Sequence, residues 1–141
     1  MADIKSINSP NFNPLQSAYC KCHSTETAHL KMVNDIHEAM DTGRSTIIIA
    51  LDMSAAFDTI DQAVLLNRLK HTFGVTGTAL EWISSYLSHR QSYVRWGTGQ
   101  SVTTTVEVSI PQGSVLGPML FTLFIASLAK VTESFDIQHH Q

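Results

Sequence analysis

The residues best suited to chemistry lie in two short stretches. In "TIIIALDMSAAFDTID", residues 46–61, an apolar run meets Asp52, and Asp58 and Asp61 follow. Residues 45–51 read as a β-branched strand without alternation, so both of its faces should be covered. A buried, unpaired carboxylate at the end of such a strand is strongly unfavourable. It is tolerable where the strand end opens into a cleft and a cation neutralises it. Hard cations such as Mg²⁺ take carboxylate and carbonyl oxygens and share coordination with substrate phosphates. Asp52 could therefore be half of a phosphoryl-transfer site. The competing reading is local: Asp52 caps a helical turn by accepting from the amide of Ser54 or Ala55. The local pattern alone favours the cap. Asp58 and Asp61 read as turn and cap residues, with Asp61 placed to cap the helix of Val64 and Leu69. Phe57 is a core residue by default; its functional alternative is a flat wall beside whatever Asp52 holds.

The second stretch is "SIPQGSVLGPMLFTLF", residues 109–124. Pro111 fixes φ, Gly113 permits a backbone route closed to other residues, and Ser114 can cap the helix that follows. Gln112 stands between them with an amide that both donates and accepts. By itself the stretch reads as a tight strand-to-helix turn with an exposed glutamine. It is also, after Asp52, the best place for a ligand contact.

These residues need elements to hold them. Residues 1–12 read as a polar lead-in. A helix is expected over 24–41, with Ser24 or Thr25 as cap, a stripe of Ala28, Met32, Val33, Ile36 and Met40, and Gly43 at its end. After the 45–51 strand come two helices, one striped by Val64, Leu65, Leu69 and Phe73 and stopping at Gly74. The other is striped by Leu80, Ile83 and Leu87, with Thr76 or Thr78 near its start. Residues 91–96 and 101–110 are expected to form a hairpin around "GTGQ", with Val102, Thr104, Val106, Val108 and Ile110 on one side of the second strand. A last helix covers about 115–130, where Pro118 is tolerated only in the first turn. This mixture predicts an α+β fold, an antiparallel sheet with helices packed on one face.

The 141 residues suit one domain. With 43% hydrophobic residues the chain can build a core, and its net charge of −3 is not the basic footprint of a nucleic-acid binder. Arg44, Arg68, Lys70, Arg90 and Arg95 are scattered and read mostly as solvated surface. Cys20, Cys22 and His23 could be half of a zinc site, but no second pair follows, and two reduced thiols are the simpler reading. No signal-peptide pattern opens the chain, and the apolar stretch at 115–129 is too short and too interrupted to span a bilayer. A cytoplasmic or nuclear location is the expectation.

Taken together, the two stretches resemble a known family. "IIIALDMSAAFDTID" is similar to motif A, and "IPQGSVLGPMLF" to motif B, of the reverse transcriptases of LINE-like (non-long-terminal-repeat) retrotransposons. "NPLQSAYCKCHSTETAHL", 13–30, resembles the segment before motif A, and "GTALEWISSYLSHRQSYV", 77–94, the stretch between A and B. The resemblance implies a partial reverse transcriptase domain over 13–141, with a polymerase palm and part of the fingers. It implies that Asp52 binds two catalytic Mg²⁺ ions, with Mn²⁺ as an alternative, about 3.5–4 Å apart. The backbone carbonyl of Met53 would be a further ligand. Phe57 would be the aromatic gate that crowds a ribose 2′-OH. Gln112 and Gly113 would lie near the incoming nucleotide and the template. The partners implied for the full-length family are an RNA template, a DNA primer and deoxynucleotides, without a membrane.

There are departures. Cys20 stands where the family usually has a basic residue. No Asp-Asp pair of motif C occurs in the chain; "FDIQHHQ", 135–141, resembles its lead-in, and the resemblance implies that the basic finger strands and the thumb are not among these residues. The expectation is a fragment of an RNA-directed DNA polymerase, inactive in isolation, with weak or no nucleic-acid binding of its own. The alternative is a non-catalytic retroelement remnant or interaction module. An unrelated phosphatase-type site is disfavoured, because Ser54 stands where its second carboxylate would be.

Overall fold

The computed structural model describes residues 15–140. The lead-in expected at 1–12 lies outside the described residues. The chain divides into two compact units. The first runs from Ala55 to Phe124; the second comprises the described residues up to Ser54 and those from Ile125 onward.

The first unit holds α2 (Gln62–His71), α3 (Gly77–Leu87), four short strands and most of α4 (Gly117–Ile125). α2 starts where expected: the Asp61 side chain accepts from the Val64 amide at 2.9 Å. This satisfies one of the orphan N–H groups of the first turn. Asp61→Ala should cost about 0.5–2 kcal/mol of stability, read as a lower urea midpoint for the purified chain. An unchanged midpoint would show that the cap contributes nothing. From this start the helical period carries Leu65 and Leu69 inward, while Val64 is left exposed. α2 packs on α3, whose Leu87 is fully buried. Ile60, Ile110 and Leu120 complete a core with no solvent access. At α3 Thr76 occupies the N-cap position, but its side chain makes no capping bond.

Arg68 departs from the expected solvated surface. It is half-buried, its guanidinium lies over the Phe124 ring at 4.6 Å, and it donates to the Phe124 carbonyl. The cation thereby gains both a π-face and an acceptor.

The hairpin forms with a tighter turn than expected. β2 (Arg95–Trp96) pairs with β3 (Gly99–Gln100), so only Gly97 and Thr98 remain as the loop, with Gly97 at φ 57°. β1 (Arg90–Ser92) pairs antiparallel with β4 (Thr104–Val106). The apolar side is buried only towards its end: Val102 is 87% exposed, Val108 48% and Ile110 0%. Helices and small antiparallel sheets thus coexist, as the α+β expectation required.

In the second unit α1 (Thr25–Asp41) has the expected Ser24 cap. The Thr27 amide donates to Ser24 Oγ at 3.2 Å, and the Ser24 amide donates to Thr27 Oγ1 at 2.8 Å. The Ser24 side chain also holds the exposed Glu26 carboxyl below its ordinary pKa. Gly43, at φ 73°, closes the helix by donating to Met40 O at 2.9 Å. Asp35 on α1 ties this helix to the far end of the described chain. It accepts from Lys31, from Gln138 Nε2 at 3.0 Å, and meets His140 Nε2 at 3.3 Å. The Lys31 ammonium holds the Asp35 carboxyl below its usual range.

Two expectations are corrected. Residues 45–51 form no strand, and they are exposed: Ile47 is 86% exposed, Ile49 74% and Leu51 76%. β-Propensity alone does not make a strand, because its N–H and C=O groups must be paired by a neighbour. No strand exists among the described residues of this unit. The single helix expected at about 115–130 is two, α4 and α5 (Ser127–Glu133), separated at Ala126. Within α4 the Thr122 hydroxyl donates back to the Pro118 carbonyl at 3.0 Å, a contact that tends to bend helices. Pro118 itself sits in the first turn of α4, as it must. Among the described residues no helix is long and apolar enough to cross a membrane.

Candidate functional site

The end of the first stretch, from Ala55 to Asp61, meets the second stretch in the first unit. A turn leads from Ala55 to Thr59: the Ala55 carbonyl accepts from the amides of Asp58 at 2.8 Å and Thr59 at 3.2 Å. Ala55 opens the turn at φ 52°, a conformation uncommon for a residue with a Cβ. The backbone then pairs with the start of the second stretch. The Ile110 amide donates to Phe57 O at 2.9 Å, and the Ser109 amide donates to Ile60 O at 2.8 Å. These bonds fix Phe57 beside the Pro111–Gln112–Gly113 turn.

The half-buried Phe57 ring packs on Phe121 of α4, with centroids 5.1 Å apart and planes at 38°. It is therefore both a packing residue and a wall. The wall belongs to a pocket of about 470 Å³, whose lining includes Ala55, Ala56 and Phe57 together with Pro111, Gln112 and Gly113. That volume lies within the range of small-molecule sites.

Gly113 has φ 72°, the backbone route that was expected to need glycine. Ser114 holds the helix start: its Oγ accepts from the Gly117 amide at 2.9 Å and donates to Pro111 O at 2.7 Å. Gly117 permits this closeness. A Cβ there would stand 3.1 Å from Ser114 Oγ and 3.2 Å from Pro111 O.

Gln112 is exposed, and its Nε2 donates to Asp58 Oδ1 at 2.8 Å. The sequence marks Asp58 as a turn residue. It is one, but it also reaches across 54 positions to the glutamine. No local pattern announces such a pair.

Asp52 and Met53 belong to the second unit, so the expected ligands stand in a different unit from Phe57, Gln112 and Gly113. Asp52 is exposed and Met53 is 44% exposed. Residues 54–59 form a turn rather than an α-helix, so Asp52 stands at no helix N-terminus. Nor is Asp52 the buried carboxylate that the strand reading required. Among the described residues no group of three or more His, Cys, Asp or Glu side chains could hold a metal ion. Among the described residues the donor set for a pair of metal ions is therefore incomplete. Cys20 and Cys22 are free thiols, and His23 Nδ1 lies 3.0 Å from the Lys21 carbonyl.

The reverse transcriptase (RNA-dependent DNA polymerase) family signature matches residues 1–141. The chain belongs to the reverse transcriptase family. This reverse transcriptase chain is 30% identical over 113 residues to a probable RNA-directed DNA polymerase from transposon BS of Drosophila melanogaster, covering 80% of the chain and 12% of that protein. It is 32% identical over 102 residues to a probable RNA-directed DNA polymerase from transposon X-element of the same fly, covering 72% and 11%. The RNA-directed DNA polymerase from mobile element jockey of Drosophila melanogaster is 29% identical over 115 residues, covering 82% and 12%. This reverse transcriptase chain therefore spans about 12% of the length of the curated relatives that it matches. No solved structure matches it.

Proposed function

We propose that this chain is the part of a LINE-like retrotransposon reverse transcriptase that receives the incoming deoxynucleotide, combining palm and finger segments. The reaction of the whole polymerase is attack of a primer 3′-OH on the α-phosphate, with pyrophosphate leaving. Its partners are an RNA template, a DNA primer and deoxynucleotides. Asp52 and the Met53 carbonyl are assigned to Mg²⁺ or Mn²⁺ binding, completed by carboxylates from elsewhere in the polymerase. A single exposed carboxylate cannot clamp two metal ions, so the isolated chain is expected to be inactive and to bind nucleic acid weakly or not at all.

The observation that carries this reading is the cavity in which Phe57 stands against Gln112 and Gly113. An aromatic ring locked by packing is a rigid wall, and a rigid wall can reject an added hydroxyl. The test is sugar selection by a polymerase chain that carries residues 1–141. Phe57→Ala should relax discrimination against ribonucleotides by on the order of 10²-fold, the usual limit for a steric pocket facing one extra hydroxyl. Equal discrimination by the variant and the parent would remove Phe57 from the nucleotide site.

A second reading, a non-catalytic interaction module, rests on one observation. Ile47, Ile48, Ile49 and Leu51 are all at least 60% exposed, and an exposed apolar run favours association.

A further inference from the structure

We propose that Asp58 is a positioning residue for Gln112, fixing which end of the glutamine amide faces a bound nucleotide. The proposal rests on the nucleotide-site reading of the cavity and adds a residue to it.

Gln112 Nε2 donates to Asp58 Oδ1 at 2.8 Å although both residues are exposed. An exposed hydrogen bond competes with water, so it persists only if little freedom is lost in making it. Both partners are already held by backbone. Asp58 sits in the turn closed by its own amide to Ala55 O at 2.8 Å. Gln112 lies two residues after Ile110, whose amide donates to Phe57 O at 2.9 Å, and precedes Gly113 at φ 72°. The two side chains therefore start out facing each other.

The polarity of the pair does the rest. An ionised carboxylate only accepts, whereas a primary amide has a donating and an accepting end. Facing Asp58, the amide must turn its NH₂ inward. That leaves Oε1 and the second N–H for a ligand in the cavity that Gln112 lines. Oε1 can be used only by a donor, which on a nucleotide means a sugar hydroxyl or a base N–H. An unprotonated phosphate oxygen cannot fill that role. Without Asp58 the amide is free to flip, and half of its orientations present the wrong end.

Two measurements test this. In the ¹⁵N-labelled chain, the Gln112 side-chain amide resonances should shift on Asp58→Asn, an isosteric change that leaves a partner able to face the amide with either end. In a polymerase chain carrying residues 1–141, Asp58→Ala should raise KM for the deoxynucleotide about 2–12-fold, the range for one net hydrogen bond, with kcat unchanged. Gln112→Ala should raise KM at least as much. The double variant should be no worse than Gln112→Ala, since Asp58 acts only through the glutamine. Asp58→Asn, which keeps the size of the side chain, should fall between the parent and Asp58→Ala. Unmoved Gln112 amide resonances in Asp58→Asn, or single effects that multiply in the double variant, would overturn the proposal. A silent Asp58→Ala beside an impaired Gln112→Ala sinks the positioning role and leaves the nucleotide site standing. A silent Gln112→Ala removes the nucleotide-site reading, and the positioning role with it.

Discussion

Asp52→Asn, placed in a polymerase chain that carries residues 1–141, is expected to lower primer extension by on the order of 10²–10⁴-fold, because a lost metal ligand removes several kcal/mol of transition-state stabilisation. The substitution keeps the shape of the side chain and deletes its charge. Asp52 is exposed and starts no helix. Its removal should therefore leave stability within about 0.5 kcal/mol of the parent, as surface substitutions usually do. That contrast separates a chemical from a structural role: activity collapses while the urea midpoint stays. The same assay on the purified 141-residue chain, with Mg²⁺ or Mn²⁺, should show no incorporation. Asp52-dependent extension by that chain would mean that one carboxylate suffices and would refute the shared-site reading. Full extension by the Asp52→Asn polymerase would end the metal-ligand assignment.

Leu120→Ala should destabilise the first unit by about 2–5 kcal/mol, the loss of a buried leucine plus the cavity left behind. Leu120 is 0% exposed, and it belongs to a core of few residues, with Ile60, Leu65, Leu69, Leu87 and Ile110. Domain stabilities are only about 5–15 kcal/mol, so this change removes a large fraction. Leu120 also sits on α4, one turn from the Gly117 start that the Ser114 hydroxyl holds. Loosening that helix should open the cavity wall formed through Phe121 and Phe57. Val115→Ala is the internal control, because Val115 is 95% exposed in the same stretch. Urea unfolding followed by far-UV circular dichroism compares the two. Equal midpoints for Leu120→Ala and Val115→Ala would show that this core does not hold the unit together.

The fate of the apolar run at 45–51 bears on how Asp52 is understood. A carboxylate at the end of a buried strand must be neutralised. The observed segment is neither buried nor a strand, so no desolvation demands a cation at Asp52. Its assignment now stands on the motif resemblance and on family membership, not on a burial penalty. This is why the substitution experiment matters more for Asp52 than for any other residue.

What the sequence by itself determined is local. α1 starts after the Ser24 cap and closes at Gly43; α2 starts at the Asp61 cap. A helix satisfies its hydrogen bonds within its own segment, and its caps lie within a turn, so four or five neighbouring residues suffice to mark it. Gly113 was legible for the same reason, since a left-handed backbone position is a property of one residue. The family, too, was legible, because its motifs are short and ordered along the chain. Tertiary structure decided everything that needs a partner from far away. It left 45–51 without a pairing neighbour among the described residues, set Arg68 against Phe124, divided the last helix at Ala126, and brought Asp58 to Gln112 across 54 positions. A strand and a side-chain pair are both half-made until another segment arrives, and which segment arrives is settled by the packing of the whole unit rather than by the residues beside them.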